Sequence, residues 1–389
     1  MKILKLFMNL LLCIFLLTII VVSIYYFFNE KDIIPTSKYK VKENKEKDYE
    51  AKLFMVGDAL IHTTVYLDAK TNEGYDFTKQ LKSIKDVSSK YDLAYYNQET
   101  ILGGSQLGVS SYPRFNSPYE VGDAFIDAGF NLVSLATNHT MDKGEIGVIN
   151  SVNYWKSKKD VVTSGQWNSF DDRNNSINTI HEVNNIKYAF LSYTIWNNGL
   201  VTPVGKEYLN NEYSLEKAKL DIEQIRDKVD FVIVAMHWGT EYSFSVDAKQ
   251  EEIALELSNL GVDLIIGAHP HVIQTAEYIN DNKTFVIYSL GNFISDQDDI
   301  DNFTGLAFEI SLAKHVDKDK KVTNKVINPK AELLYTTTSK SRGYNSNFLV
   351  EFYPKLDDSK LNGYLNYYEK YKNIVNERIP NLEWGLTWE

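Results

Sequence analysis

Five of the seven histidines stand in polar segments that follow or adjoin apolar runs: His62, His139, His237, His269 and His271. Four segments carry them, GDALIH at 57–62, NHTMD at 138–142, HWGTE at 237–241 and GAHPH at 267–271, and NQE at 97–99 adds a carboxylate. With Asp58, Glu99, Asn138, Asp142 and Glu241 they form a donor set of imidazole, carboxylate and amide oxygen. Such hard-to-borderline donors suit zinc, iron, manganese or cobalt rather than a thiolate-bound metal. Two divalent ions held about 3.5–4 Å apart need one carboxylate between them, and Glu99 is the candidate for that place. Paired cations lower the pKa of a bridging water, and a histidine oriented by a carboxylate donates a proton. A single histidine after a strand is as readily an ordinary hydrogen-bonded side chain. GAHPH, with two imidazoles two residues apart, and five segments recurring in order favour a metal centre over a metal-free polar cleft. His181 and His315 lack such partners and read as surface residues.

These segments need a scaffold that brings their ends together. Short apolar runs at 53–57, 93–96, 131–136, 188–193, 229–236, 262–267 and 284–290 alternate with amphipathic stretches at 76–90, 120–129, 145–158, 214–228 and 247–260. That alternation predicts an α/β arrangement with buried sheets, in which loops at the carboxyl ends of parallel strands share one face. Gly57 and Gly267 fit close backbone approach at strand ends and belong to no dinucleotide or P-loop fingerprint. Ser214 is the expected cap of helix 214–228. Residues 166–186 and 196–213 read as loops, and 314–330 as an exposed connection or hairpin. Strands at 331–337 and 346–353 follow, then a helix over 360–377 capped by Asp357 or Ser359.

The chain has 389 residues with 41 basic and 52 acidic side chains, a net charge of -11. An acidic balance argues against a general nucleic-acid binder, which needs a dense basic footprint. One cysteine, Cys13, excludes an internal disulfide, a cysteine zinc site and an iron–sulfur cluster. Residues 7–28 form an uncharged apolar run long enough to span a bilayer core of roughly 30 Å as a helix. Lys2 and Lys5 precede it, which predicts residues 1–6 as a cytoplasmic tip and the main domain extracellular. Ser23-Ile24-Tyr25-Tyr26 offers no small-residue cleavage site, which predicts an uncleaved single-pass anchor rather than a signal peptide. Residues 29–50 alternate basic and acidic side chains and read as a charged stalk.

The five polar segments, together with YSLGNF at 288–293, resemble the bacterial capsule-synthesis protein family, whose namesakes are CapA and PgsA of poly-gamma-glutamate production. The resemblance covers roughly 51–312, with 313–389 as a C-terminal extension packed on that domain. It implies a calcineurin-like metallophosphatase relative: a four-layer α/β/β/α sandwich with two metal ions, of manganese, zinc or iron. Carried over, Asp58, His62 and His271 would hold the first metal, Glu99 would bridge, and Asn138, His237 and His269 would hold the second. His139 is similar to the metallophosphatase proton donor, Asp142 would orient it, and Glu241 would face substrate or stand behind the ligands. The spacing departs from the ordinary phosphatase pattern: His62 follows Asp58 by four residues, and Asn97-Gln98-Glu99 replaces a Gly-Asp-x-x-Asp motif.

Within YPRFNSP at 112–118, Arg114 offers a planar donor fork to a carboxylate or phosphate, or else an ordinary surface ion pair. Asn116 and Ser117 are further candidate substrate contacts. Trp238 would either wall the pocket or pack against a sheet. The expected function is a membrane-anchored component of poly-gamma-glutamate or related capsule polymer synthesis and export, with a metal-dependent hydrolase or transfer centre. Its expected partners are the anionic polymer, membrane synthase and export subunits and the lipid bilayer, and no nucleic acid. The alternatives are a non-catalytic polymer-binding scaffold and a general extracellular metallophosphatase.

Overall fold

The computed structural model describes residues 1–29, 45–297, 299–341 and 344–388. Two compact units result, one holding the N-terminal helix and the other the body that begins at Glu46. In the first unit, α1 (Lys2–Asn29) is long and apolar enough to cross a membrane, and none of its spanning window is buried by protein. Most of the charged segment 29–50 lies outside the described residues.

The body is built on two sheets. The first runs β14 (Tyr344–Phe352), β13 (Val322–Ser341), β12 (Thr304–Val316), β1 (Lys47–Ala59), β2 (Leu93–Asn97), β3 (Leu132–Ser134), β4 (Val162–Ser164). Two short strands lie off this path, β11 (Asn292–Ile294) beside the end of β1 and β15 (Glu383–Trp384) beside β13. The second runs β5 (His181–Val183), β6 (Ile186–Thr194), β7 (Phe231–His237), β8 (Leu264–Ala268), β10 (Thr284–Ile287), β9 (Ala276–Ile279). β1 to β4 are mutually parallel, as are β6, β7, β8 and β10.

Alternation along the strands sorts their side chains into layers. Leu53 and Met55 of β1 join Ile233 and Ala235 of β7 in the core between the sheets. Phe54 and Val56 face outward instead, onto α2 (Thr63–Asp68), α3 (Lys82–Ser88), α4 (Glu120–Asp127) and α5 (Gly144–Lys156). Val232, Val234 and Met236 face the other way, onto α6 (Phe170–Ile177), α7 (Leu215–Ile225) and α8 (Ala248–Asn259). The layer order is α/β/β/α, as the family resemblance implies. A short α9 (Ile300–Phe303) precedes β12, and α10 (Tyr364–Val375) sets Tyr371 and Val375 against the core between the sheets.

Two local expectations are corrected and one is narrowed. Segment 166–186 holds α6 and β5 rather than loop alone. Ser169 accepts the Asp172 N–H as a cap, but FDDRNNSI carries too few apolar residues to show a helical period. Segment 314–330 is the hairpin of the two alternatives, formed by the ends of β12 and β13 around a short turn. The last helix starts at Tyr364, because Asp357 turns its carboxylate onto the N–H groups of Ser359 and Lys360 and holds a turn there. Ser214 caps α7 as expected.

Candidate metal centre

Parallel register carries the polar segments to one edge. In the first sheet Asp58 is level with Asn97 and with Asn292, and Asn97 with Ser134. In the second, Thr194, His237 and Ala268 are level across β6, β7 and β8. The strands end here because their next residues turn into loops that point at one another across the gap between sheets. Gly57 and Gly267 make the approach possible. A Cβ on Gly57 would lie 1.8 Å from the Gly291 carbonyl oxygen, and one on Gly267 1.9 Å from that of Tyr288.

At the centre lies Glu99, fully buried, with neither carboxylate oxygen hydrogen-bonded. Its Oε1 is 3.8 Å from His237 Nε2 and 3.6 Å from His271 Nε2. On the His237 side, Nε2 is also 2.9 Å from Asn138 Oδ1 and 3.1 Å from His269 Nδ1, so four donor atoms converge. On the His271 side, Nδ1 lies 3.6 Å from Asp58 Oδ2. Glu99 with His237 and His269, and Glu99 with Asp58 and His271, are each spaced to hold a cation, as is Glu241 with His269 and His271. A buried carboxylate without a partner is costly, and a bound cation is what relieves it. The donor chemistry and the orphaned oxygens therefore fit divalent metal.

Electrostatics divide the histidines. Burial pushes Glu99 well above the ordinary carboxylate range. Burial pulls His237 and His269 well below the usual imidazole value, with neighbouring histidines adding to the effect. His237 and His269, held neutral, keep a lone pair for a cation. His271 is instead raised to about 9, burial lowering it but the charges of Glu99 and Asp58 outweighing that, so a cation there displaces its proton.

Asparagines fix the geometry. Asn97 donates to Asp58 Oδ1 at 2.7 Å, and its own oxygen accepts from Ser134. The Asn292 amide nitrogen faces Ser295, Gln297 and the Asn302 carbonyl, so its Oδ1 is left to accept from His271 Nδ1 at 3.0 Å. That bond leaves His271 Nε2 bare toward Glu99. Both asparagines stood inside recognised segments, NQE and YSLGNF, but nothing in composition marks an amide that orients a ligand.

His139 lies beside this centre, with Nδ1 2.7 Å from Asp142 Oδ2, which also takes the Phe115 N–H at 2.7 Å. Phe115 packs edge-on to His139 and to His62. His62 stands at the N-terminal boundary of α2 without a side-chain cap and does not fall within the converging groups among the described residues. Two backbone groups meet its Nδ1, the Leu60 carbonyl at 3.2 Å and the Asp296 N–H at 3.1 Å. Only donation to Leu60 leaves its Nε2 a lone pair. Burial lowers this imidazole to about 4, against the opposing charge of Asp296.

The remaining candidates separate. Arg114 is exposed on the loop that presents Phe115. Asn116 is buried and spends its amide on the Gly104 and Gly108 carbonyls, while Ser117 bonds Thr100. Trp238 is fully buried, its indole N–H on the Tyr288 carbonyl, and packs in the helix-covered core of the second sheet. His181 packs on Tyr188, and His315 pairs with Asp48.

Fold and site together define a class: a two-sheet α/β/β/α protein with a histidine–carboxylate centre at the ends of its parallel strands. The chain belongs to the bacterial capsule synthesis protein family, PGA_cap, whose model matches residues 52–297. It is 30% identical over 182 residues to the capsule biosynthesis protein CapA of Bacillus anthracis, covering 46% of this chain and 43% of that one. It is 32% identical over 177 residues to the PGA biosynthesis protein CapA of Bacillus subtilis (strain 168), covering 44% of each. The matched region thus spans less than half the length of either relative. Among solved structures it is similar to the calcineurin-like phosphoesterase YfkN from Bacillus subtilis, at 16% identity and a TM-score of 0.44, covering 74% of this chain and 91% of that one.

Proposed function

We propose that this chain is a membrane-anchored, outward-facing component of poly-gamma-glutamate or related surface-polymer synthesis and export, and that its centre hydrolyses or transfers a bond in that polymer's handling. Family membership supports the polymer, α1 supports the anchor, and the lysines before it support the orientation. One observation carries the chemistry: the Glu99 carboxylate, fully buried and unpartnered among imidazoles. Synthase and export subunits would be its partners in the membrane.

In this reading Asp58, Glu99 and His271, with His62 at their margin, hold one cation, and Glu99, Asn138, His237 and His269 hold a second. Two such ions, of manganese, zinc or iron, would supply a hydroxide at neutral pH and polarise the oxygen of the bond attacked. Asp142 holds the His139 ring by Nδ1, which leaves Nε2 to carry a proton toward a departing oxygen or nitrogen. Burial of Asp58, Glu99 and His237 keeps water from competing for the donors. Arg114, exposed on the neighbouring loop, is the basic group available to steer an anionic chain toward the edge of the site.

The test uses the full chain in detergent, with metal content measured directly and cleavage or transfer of a gamma-glutamate oligomer followed. His139→Asn should retain bound metal and lose about 10²–10⁴-fold in rate. Unchanged polymer handling by this variant would leave a scaffold role in place of catalysis.

A further inference from the structure

Glu241 stands apart from the other carboxylates of the centre. It is exposed, whereas Asp58 and Glu99 are fully buried, yet its carboxylate is spaced with His269 and His271 to hold a cation. Its place is built rather than incidental. The Tyr242 N–H donates to the Pro270 carbonyl at 2.7 Å, tying the 239–242 loop to the residue between the two histidines. From the other side, the Trp196 indole N–H donates to the Gly239 carbonyl at 3.2 Å. Three non-glycine residues of this junction, Tyr242, His269 and His271, have φ of +65°, +98° and +58°. Left-handed backbone at bulky residues is costly and collects where surrounding structure holds a functional geometry. The strain falls on the two imidazoles and on the residue next to Glu241.

Resting on the metal-centre reading above, we propose that Glu241 is an exchangeable carboxylate ligand on the solvent side of the centre, reaching a cation where the His269 and His271 sites adjoin and yielding its position to an anionic group of the substrate. A carboxylate and a phosphate or carboxyl group of a ligand compete for the same hard cation with the same donor atom type. An exposed side chain reaches the ion from solvent and leaves again without disturbing the core, which the buried ligands cannot do. Glu241 therefore keeps the resting centre neutralised and sets the affinity that an incoming anion must exceed.

The experiment titrates Mn²⁺ into the metal-free full chain in detergent, wild type and Glu241→Gln, by calorimetry, and then titrates inorganic phosphate at saturating Mn²⁺. Loss of an anionic ligand should weaken one Mn²⁺ site by about 10-fold or more, on the scale known for perturbing metal-site partners. Phosphate should bind the saturated variant more tightly than the wild type, an increase that a merely structural role would not produce. Circular dichroism of the metal-free variant should match the wild type, since the side chain is exposed. Equal Mn²⁺ binding by both proteins would overturn the assignment of Glu241 as a ligand while leaving the centre intact. Weaker Mn²⁺ binding without tighter phosphate binding would overturn exchangeability. A wild type that takes up no metal would sink the metal-centre reading itself, and this assignment with it.

Discussion

Glu99 concentrates the consequences at the residue scale. Without a cation it is a buried carboxylate facing imidazoles but hydrogen-bonded to nothing, so the centre is a place of unfavourable free energy until filled. Glu99→Gln removes the charge and keeps the shape. The metal-free variant should melt close to the metal-free wild type, because burial already disfavours the charged form of Glu99 and Gln matches the neutral form in shape. Wild type at Mn²⁺ 100-fold above its dissociation constant should gain about 2.7 kcal/mol, and the variant should gain almost none. Thermal melts with and without chelator read both effects, and an equal metal-dependent gain in the two proteins would refute the central place given to this side chain. The site's donor residues were legible in sequence because each followed an apolar run within a recurring polar segment. Asn97 and Asn292 carry no such mark, since orienting Asp58 and His271 depends on strand register that only the folded sheets reveal. The neighbourhood of Asn116 suggests a substrate contact, but its amide nitrogen holds loop carbonyls.

At the scale of elements, the strands were the easiest to read. LFMVG and VDFVIVAM are compact apolar runs, and their alternate residues sort cleanly onto the two faces of each sheet. Helix α6 escaped because polar contacts, not an apolar stripe, hold it. Arg173 is buried, with its guanidinium on Asp221 of α7 at 2.6 and 3.1 Å, and on Asn211 at 3.1 Å. Tyr193 of β6 donates to the same carboxylate at 2.8 Å. A loop-like composition thus conceals a polar staple between α6, α7 and the second sheet. Arg173→Met leaves Asp221 buried without its cation and should cost about 3–5 kcal/mol in denaturant unfolding. The double variant with Asp221→Leu should recover much of that loss. A loss below 1 kcal/mol in the single variant would show that the staple is not structural.

For the whole molecule, the C-terminal residues complete the sheet that carries the site. Glu309 of β12 accepts from Tyr91 at 2.6 Å and from the Thr387 N–H at 2.8 Å, so it joins the far end of the chain to the helix-side core. Burial raises the pKa of this carboxyl, but the Thr387 and Tyr91 hydrogen bonds outweigh it and hold the net value below the ordinary glutamate range. A carboxyl lowered in the folded state binds fewer protons there than in the unfolded state. Its contribution is complete above the unfolded value, near 4.5, and is lost as pH falls through the lower folded value. Stability should therefore decline on acidification below about pH 5, and Glu309→Gln should flatten that part of the profile. Urea midpoints measured from pH 3 to 7 check it, and parallel profiles for the two proteins would exclude Glu309 as a source of the decline. This closure was illegible in sequence, because Tyr91, Glu309 and Thr387 are linked only by folding.

β12 also bears on where the molecule can be cut. The match to the family stops at 297, yet β12, from 304, pairs antiparallel with β1 from Lys47 to Met55, along most of the strand that delivers Asp58. A fragment trimmed to the matched stretch would keep every proposed ligand and still leave β1 with one flank unsatisfied, a bare template for self-association. Such a piece should emerge as aggregate whereas the uncut polypeptide stays dispersed. The unit that inherits and the unit that folds are then different lengths of the same chain.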